Sequence, residues 1–236
     1  MRDQYASDIS DYLKFAFLRA IAQTDRHLGI AWYYLPGHDG RADGRHVEYK
    51  SEPAWRALDE RVYDQLVGLA EPNVAELERL AIWPARTVFH RVPLTVRRRA
   101  EWVQGIVEAM GDAELVFLDP DNGLGRGALK HARITDLIAL RRENRAVSII
   151  KFPGRHKSHK DQVLELHHNL ETSGFHDPIT VITCVHVANG RTARVPRHRF
   201  FTIAGGDDKI RARTRDFARQ LNALDRASRV SAASVE

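Results

Sequence analysis

The sequence predicts an α/β protein, a three-layer sandwich with a mainly parallel sheet and a C-terminal antiparallel hairpin. Three observations support this fold class. Apolar residues run without alternation over 114–119 and 146–152, which is typical of central parallel strands covered on both faces. Segments with helical spacing alternate with the strand-like runs, as in α/β proteins. Asn189-Gly190 separates two further strand-like segments and is a strong hairpin signal.

The N-terminal half begins with a predicted helix over 7–22, which Ser7 or Asp8 can cap. An aromatic-rich apolar run over 29–35 predicts a buried strand that ends before Pro36. The other elements of this half are predicted from their apolar spacing: helices over 51–69, 74–80 and 96–110, and a weak strand over 87–92.

In the C-terminal half, the strand over 114–119 stops at an acid, Asp119. The elements that follow it, apart from the strand over 146–152, are helices over 134–143, 160–172 and 207–224 and hairpin strands over 179–187 and 198–203. The sequence predicts a flexible tail over residues 226–236. No repeat or linker divides the chain, so residues 1–236 are expected to form a single α/β domain.

Composition excludes several classes of protein. The 236 residues are 43% hydrophobic and 28% charged, which is ordinary for a globular chain and not for a disordered one. The single cysteine, Cys184, excludes a disulfide framework and a zinc site built from cysteines. No apolar run approaches about 18 residues, so we expect no membrane-spanning helix. With acids rather than an apolar core at its start, the chain is expected to be cytoplasmic.

The charge favours an anionic partner. The formal net charge is +5 and arginine outnumbers lysine, which favours bidentate contact with phosphates. We therefore expect nucleic acid or a nucleotide to bind. The candidate phosphate-binding residues are Arg97, Arg98 and Arg99 at the start of a helix, and Lys151, Phe152, Arg155 and His156 after a buried strand.

Ligands of open α/β sheets bind where parallel strands end, and the strongest candidate site follows the strand over 114–119. Asp119-Pro120-Asp121-Asn122-Gly123 places two carboxylates and an amide directly after that apolar run. Asp119, Asp121 and Asn122 are therefore the candidate catalytic residues. The alternative is that this segment is only a good turn, because all of its residues favour turns.

Two stretches resemble methyltransferases. Asp11, Leu13 and Lys14 match the N-terminal Asp-x-Leu-Lys-His of the large-subunit rRNA adenine-N6 methyltransferase type, with Phe15 in place of the histidine. Asp119-Pro120 resembles the start of the Asp-Pro-Pro-Tyr motif that ends the fourth strand in amino-methyltransferases, with Asp121-Asn122 in place of the last two residues. Residues 7–220 also resemble an uncharacterised bacterial family marked by Phe-x-Asp-Pro-Asp-Asn-Gly.

The resemblance implies a Rossmann-like, class I methyltransferase-type fold and a site for S-adenosylmethionine. In that family the motif aspartate accepts a hydrogen bond from the target amine, which here implies Asp119, and an aromatic stacks on the flipped base, for which Phe152 is the candidate here. The cofactor contacts implied here are Lys14, Gly37, Asp39, Gly40 and Pro120. The resemblance implies no metal ligands in this chain.

Three functions follow as hypotheses. The first is an S-adenosylmethionine-dependent methyltransferase, or a methyltransferase-like protein, that acts on nucleic acid or a nucleotide. The second is a metal-dependent nuclease or phosphodiesterase, in which Asp119 and Asp121 hold Mg²⁺ and Lys151 stabilises phosphate charge. The third is a non-catalytic nucleic-acid-binding module with the same fold.

Overall fold

The computed structural model describes residues 1–37, 40, 46–127, 129–189, 193–224 and 230–235. The helices are α1 (Ile9–Ala22), α2 (Glu60–Val67), α3 (Val74–Arg79), α4 (Arg99–Ala109), α5 (Ile134–Leu140), α6 (His159–Glu171) and α7 (Asp208–Leu224). The strands are β1 (Leu28–Trp32), β2 (Val88–His90), β3 (Leu115–Asp119), β4 (Ala146–Lys151), β5 (Ile179–Asn189), β6 (Ala193–Gly205) and β7 (Val230–Val235). Short 3-10 helices span Asp3–Tyr5, Glu48–Ser51 and Pro53–Ala57.

These strands form one sheet in the order β2-β1-β3-β4-β6-β5-β7. Strands β2, β1, β3 and β4 are parallel to one another, whereas β6 lies between β4 and β5 and is antiparallel to both. The predicted fold class, a mainly parallel sheet with a C-terminal antiparallel hairpin, is confirmed. Because Lys151 at the end of β4 pairs with Phe200, residues 197–199 of β6 lie at the edge where β3 and β4 end.

The sheet is covered on both faces, which explains its unbroken apolar strands. Phe117 packs on one face with residues of α1, α2, α3 and α7, while Val116 and Leu118 pack on the other face with residues of α4, α5 and α6. All five residues of β1 and of β3 are buried. Within the described residues, no helix is long and apolar enough to cross a bilayer.

Two predicted segments differ in the structure. The helix predicted over 51–69 is interrupted, because the Asp59 side chain accepts a hydrogen bond from the Val62 amide at 3.0 Å and caps a new helix, α2. Where the sequence predicts a flexible tail over 226–236, Val230–Val235 pairs with β5 as β7. The edge of a sheet presents unpaired backbone N–H and C=O groups, and a segment can pair with them whatever its side chains are. The side-chain pattern of residues 226–236 therefore does not reveal this pairing. Residues 225–229 and 236 lie outside the described part.

Arg145 joins the ends of two helices to the sheet. Its buried guanidinium donates to the carbonyl oxygens of Ala113, Met110 and Gly111, each at 2.8 Å, and of Leu140 at 3.1 Å. Met110 and Leu140 lie at the C-terminal ends of α4 and α5, where carbonyls have no partner within their own helix.

We expect Arg145→Met to lower the free energy of unfolding by about 2–4 kcal/mol, because it leaves buried carbonyls without donors. Urea unfolding followed by circular dichroism measures this. The matched control is Arg142→Met, since the exposed Arg142 also donates to the Gly111 carbonyl. A loss no larger for Arg145→Met than for Arg142→Met would contradict the role given to Arg145.

Candidate functional site

A cavity of about 990 Å³ opens at the edge of the sheet where β3 and β4 end. Its walls come from the start of α1, the loops that follow β3 and β4, and residues 196–199 of β6. Ligands of open α/β sheets bind at this edge, at the point where the strand order reverses. Here the order reverses between β1 and β3.

The floor of the cavity is a buried group of charged side chains, which we call the floor cluster: Asp8, Asp11, Lys14, Asp119 and Arg199. The Lys14 ammonium donates to both oxygens of the Asp119 carboxylate, each at 3.0 Å. It also lies 2.6 Å from Asp11 Oδ1. Lys14 therefore fixes the orientation of the Asp119 carboxylate at the end of β3.

The start of α1 positions its three members of the floor cluster. Asp8 caps the helix, since its Oδ1 accepts hydrogen bonds from the amides of Ser10 at 2.8 Å and Asp11 at 3.1 Å. The Ser7 amide donates to Asp11 Oδ2 at 2.7 Å. Asp11 and Lys14 are three residues apart, so both face the same side of the helix. On the far side, Arg199 Nε donates to Ser10 Oγ at 2.7 Å.

Burial determines the protonation of the floor cluster. It raises the pKa of Asp11 to about 7, although Lys14 opposes this shift. It also raises the pKa of Asp8, against the effect of Arg199 and Lys14. Burial disfavours the charged form of Lys14, but the carboxylates of Asp11 and Asp119 outweigh it and raise the Lys14 pKa. The lysine therefore stays charged while a carboxyl titrates near neutrality.

The loop after β3 is held tightly. The Asn122 amide donates to the Lys130 carbonyl at 2.8 Å. Gly123 has φ +88° and lies against Lys151, so that a Cβ there would come within 2.6 Å of Lys151 Cβ. A residue other than glycine is therefore excluded at this position by both backbone angle and space. Asp121 and Asn122 border the cavity as a result.

The N-terminal residue lies between Tyr33, which follows β1, and Asp121, which follows β3, and we call this place the crevice. The Met1 ammonium donates to the Tyr33 carbonyl and lies 2.7 Å from each of Tyr33 O and Asp121 Oδ1. The Met1 carbonyl accepts from the Leu35 amide at 3.0 Å. The Arg2 side chain donates to the Gly37 carbonyl at 3.2 Å. Tyr33 O and Asp121 Oδ1 are thus the two groups that hold the N-terminal ammonium.

Around the mouth of the cavity lies a basic rim, formed by Lys130, Arg155, Lys157 and Arg197. Phe152 stands beside it with 37% of its surface exposed, and the Arg199 guanidinium lies 5.9 Å from its ring centroid. A ring supported by a guanidinium and open to the cavity is suited to stacking on a planar group.

Several predicted site residues lie together at the cavity. They are Lys14, Asp119, Pro120, Asp121, Asn122, Phe152 and Arg155. Lys151 and His156 do not border it. The side chain of Lys151 packs on Gly123, and burial lowers its pKa.

The other predicted contacts lie elsewhere. Arg97 and Arg98 are exposed at the start of α4 and do not border the cavity. Arg99 is buried and pairs with Asp136, so its guanidinium stabilises the fold instead of facing a phosphate. Gly37 and Gly40 also lie outside the cavity wall. Asp39 is outside the described residues.

Asp8, Asp11 and Arg199 belong to the site but were not predicted as site residues. The sequence does contain a signal for Asp8 and Asp11, because a capping acid followed three residues later by a second acid is typical of the start of a helix. Arg199 has none, because nothing in an apolar-rich hairpin strand shows that its arginine is buried. Among the described residues, no group of three or more His, Cys, Asp or Glu is arranged to hold a metal ion.

No family model and no curated protein matches the sequence. A protein from Legionella pneumophila str. Philadelphia 1, described by the family model DUF519, is 11% identical with a TM-score of 0.50, and the match covers 98% of each chain. A precorrin-6y C5,15-methyltransferase from Geobacter metallireducens GS-15 is 9% identical over 80% of this chain and 85% of that chain, with a TM-score of 0.37. A 16S rRNA (adenine(1408)-N(1))-methyltransferase mutant from Catenulisporales acidiphilia is 12% identical over 81% of this chain and 92% of that chain, with a TM-score of 0.32. At 11% identity, the likeness to the Legionella protein concerns the fold alone.

Proposed function

We propose that this chain is an S-adenosylmethionine-dependent methyltransferase that acts on an amino group of a nucleic-acid base or nucleotide. The observation that carries the proposal is the Asp119 carboxylate. It is 3% exposed, lies at the end of β3 on the floor of a large cavity, and is held by two hydrogen bonds from Lys14. A fixed carboxylate in such a place is suited to orient an amine.

Asp119 accepts a hydrogen bond from the N–H of the target amine. This contact orients the nitrogen lone pair and places an acceptor beside the proton that the amine loses on methylation. Lys14 holds this carboxylate in one orientation through two hydrogen bonds. Phe152 offers a ring on which the base can stack, in place of the aromatic that Asn122 replaces.

The basic rim supports nucleic acid as the partner. Lys130, Arg155, Lys157 and Arg197 border the cavity, where their positive charges can neutralise the phosphates of a strand whose base enters it. A base paired within a duplex does not reach the floor, so the substrate is an unpaired or flipped base.

The residues at the crevice between β1 and β3 fit the methionyl end of S-adenosylmethionine. The Met1 ammonium stands in for the α-ammonium of the cofactor, because it binds the Tyr33 carbonyl and Asp121. These two groups would hold the α-ammonium of the cofactor. When bound, the cofactor supplies an electrophilic methyl group. Its binding requires Met1 to leave the crevice.

Isothermal calorimetry with S-adenosylmethionine and S-adenosylhomocysteine tests the proposal. We expect micromolar binding by the wild type and a loss of at least about tenfold for Asp121→Asn, which removes one charged partner of the ammonium. Asp112→Asn, at an exposed position, is the matched control. No binding of either compound would refute the proposed cofactor.

A second candidate function is a nucleic-acid-binding module without turnover. The observation that favours it is Met1, which fills the crevice and is held there by three hydrogen bonds or ion pairs. This candidate predicts salt-sensitive binding of nucleic acid by a protein that binds neither S-adenosylmethionine nor S-adenosylhomocysteine.

Both candidates make the same prediction for the rim. We expect Arg155→Gln and Arg197→Gln each to weaken binding of single-stranded RNA several-fold and to reduce the salt slope by about one. The matched control is Arg98→Gln, because Arg98 lies in the predicted basic run but outside the cavity, paired with Glu101. Fluorescence anisotropy over a salt series measures these changes. If Arg98→Gln has the same effect as the rim variants, the basic rim is not the specific binding surface for RNA.

A further inference from the structure

The floor cluster contains more acid than base. Its three carboxylates, Asp8, Asp11 and Asp119, face two cations, Lys14 and Arg199, and each of the five residues is at most 8% exposed. A buried group of this kind resists a full set of charges, because burial penalises each charge that is not paired. The cluster can therefore take up one proton without losing its ion pairs.

The geometry gives this proton a path from the cavity. Lys14 Nζ lies 3.0 Å from both oxygens of Asp119 and 2.6 Å from Asp11 Oδ1, so one ammonium bridges the two carboxylates. We propose that Asp11 is the proton acceptor of the cavity and that Lys14 passes the proton to it from Asp119. This inference rests on the proposed function, in which Asp119 contacts the reacting amine.

The proton transfer needs no reactant other than the amine, Asp119, Lys14 and Asp11. The methylated amine releases its proton to an oxygen of Asp119. Lys14 then donates one ammonium proton to Asp11 and takes up the proton from Asp119. At the end Lys14 is charged as before, Asp119 is ionised again, and Asp11 is neutral. Asp11 later loses the proton to water through the cavity, which Asp11 borders.

Asp11 differs from Asp8 in its partners. The Asp8 carboxylate accepts two backbone N–H bonds at the first turn of α1, where the helix dipole favours a negative charge. Asp11 accepts one backbone N–H bond, from Ser7, and the Lys14 contact. The groups that face Asp11 are Lys14 and Asp8 on α1, Asp119 on β3, Arg199 on β6 and Tyr49. Burial raises the pKa of Asp11 to about 7 in these surroundings.

Carbon-13 NMR of the aspartate carboxyl groups tests the inference on the full chain without any substrate. We expect one buried carboxyl to titrate near neutral pH in the wild type and its signal to be absent in Asp11→Asn. In Asp119→Asn the midpoint is expected to move to lower pH, because a like charge is removed and Lys14 then acts on Asp11 alone. Asp8→Asn keeps a side chain that can cap α1, so the protein should remain folded. We expect the titration near neutral pH to remain in this variant, which assigns it to Asp11 and not to Asp8.

The control variant is Asp216→Asn, on the exposed side of α7, which should leave the midpoint unchanged. Titration of Asp11 in the ordinary acid range, or a neutral midpoint that persists in Asp11→Asn, would overturn the inference. So would a methyl-transfer pH profile that Asp11→Asn does not move. If Asp11 titrates as expected and no methyl transfer is found, the proton acceptor stands and the proposed function fails.

Discussion

Methyl transfer by Asp119→Asn is expected to fall by about 10²–10⁴-fold, which is the range that positioned proton transfer contributes in enzymes. The amide presents an N–H toward the amine where the carboxylate presents only acceptors, and it cannot take up a proton. Because Asn has nearly the same volume, the change tests chemistry and not packing. Transfer of radiolabelled methyl groups from S-adenosylmethionine to bulk single-stranded RNA and to denatured DNA measures it.

Binding of S-adenosylhomocysteine should survive in Asp119→Asn, since the ammonium of the ligand is assigned to Tyr33 and Asp121. This separates a chemical defect from a lost cofactor site. The control is Asp216→Asn, whose carboxylate lies on α7 and pairs with Arg219. If Asp119→Asn transfers methyl groups as fast as this control to every accepted substrate, Asp119 has no part in the reaction.

Lys14→Met is expected to lower the free energy of unfolding by about 3–5 kcal/mol at neutral pH, as is usual when one partner of a buried ion pair is removed. The methionine fills most of the volume of the lysine but leaves Asp11 and Asp119 without their shared cation. Urea unfolding at about pH 8 and about pH 6 measures the loss.

The pH dependence of this loss has a definite sign. Without Lys14, the pKa of Asp11 rises further above its value in the unfolded chain, so stability falls as pH rises through that pKa and returns as pH falls. The deficit of Lys14→Met should therefore be smaller at the lower pH. The matched control is Lys209→Met, an exposed lysine 3.3 Å from Asp25, which should cost less than about 1 kcal/mol at either pH. A deficit that is equal at the two pH values would contradict the charge argument.

The central sheet could be predicted from the sequence because its signals are local. The unbroken apolar runs that became β3 and β4 are visible without any knowledge of neighbours. So is the hairpin signal of Asn189-Gly190, of which Gly190 lies outside the described residues while the flanking strands β5 and β6 pair as predicted. The position of Asp119 at the end of β3 follows from the same pattern, since an acid terminates the run.

Burial and pairing across long distances could not be predicted in the same way. Arg97, Arg98 and Arg99 look alike in the sequence, yet Arg99 lies against Asp136 in the core while the other two face solvent. Their difference depends on how α4 is rotated against α5, which no short segment specifies. Arg199 is a second case, because its partner, Ser10, is 189 residues away.

The link between Ser10 and Arg199 has a consequence for how the protein acquires its site during synthesis. The floor cluster joins residues near the start of the chain to Asp119 and then to β6, which is made late. Contacts of such high sequence separation form slowly, because a long loop must close before they contribute any stability. A growing chain that ends before Arg199 therefore lacks the second cation of the floor cluster. We expect ligand binding to arise only once β6 has been made and has paired, and chains truncated before it to be targets for proteases and not partly active proteins.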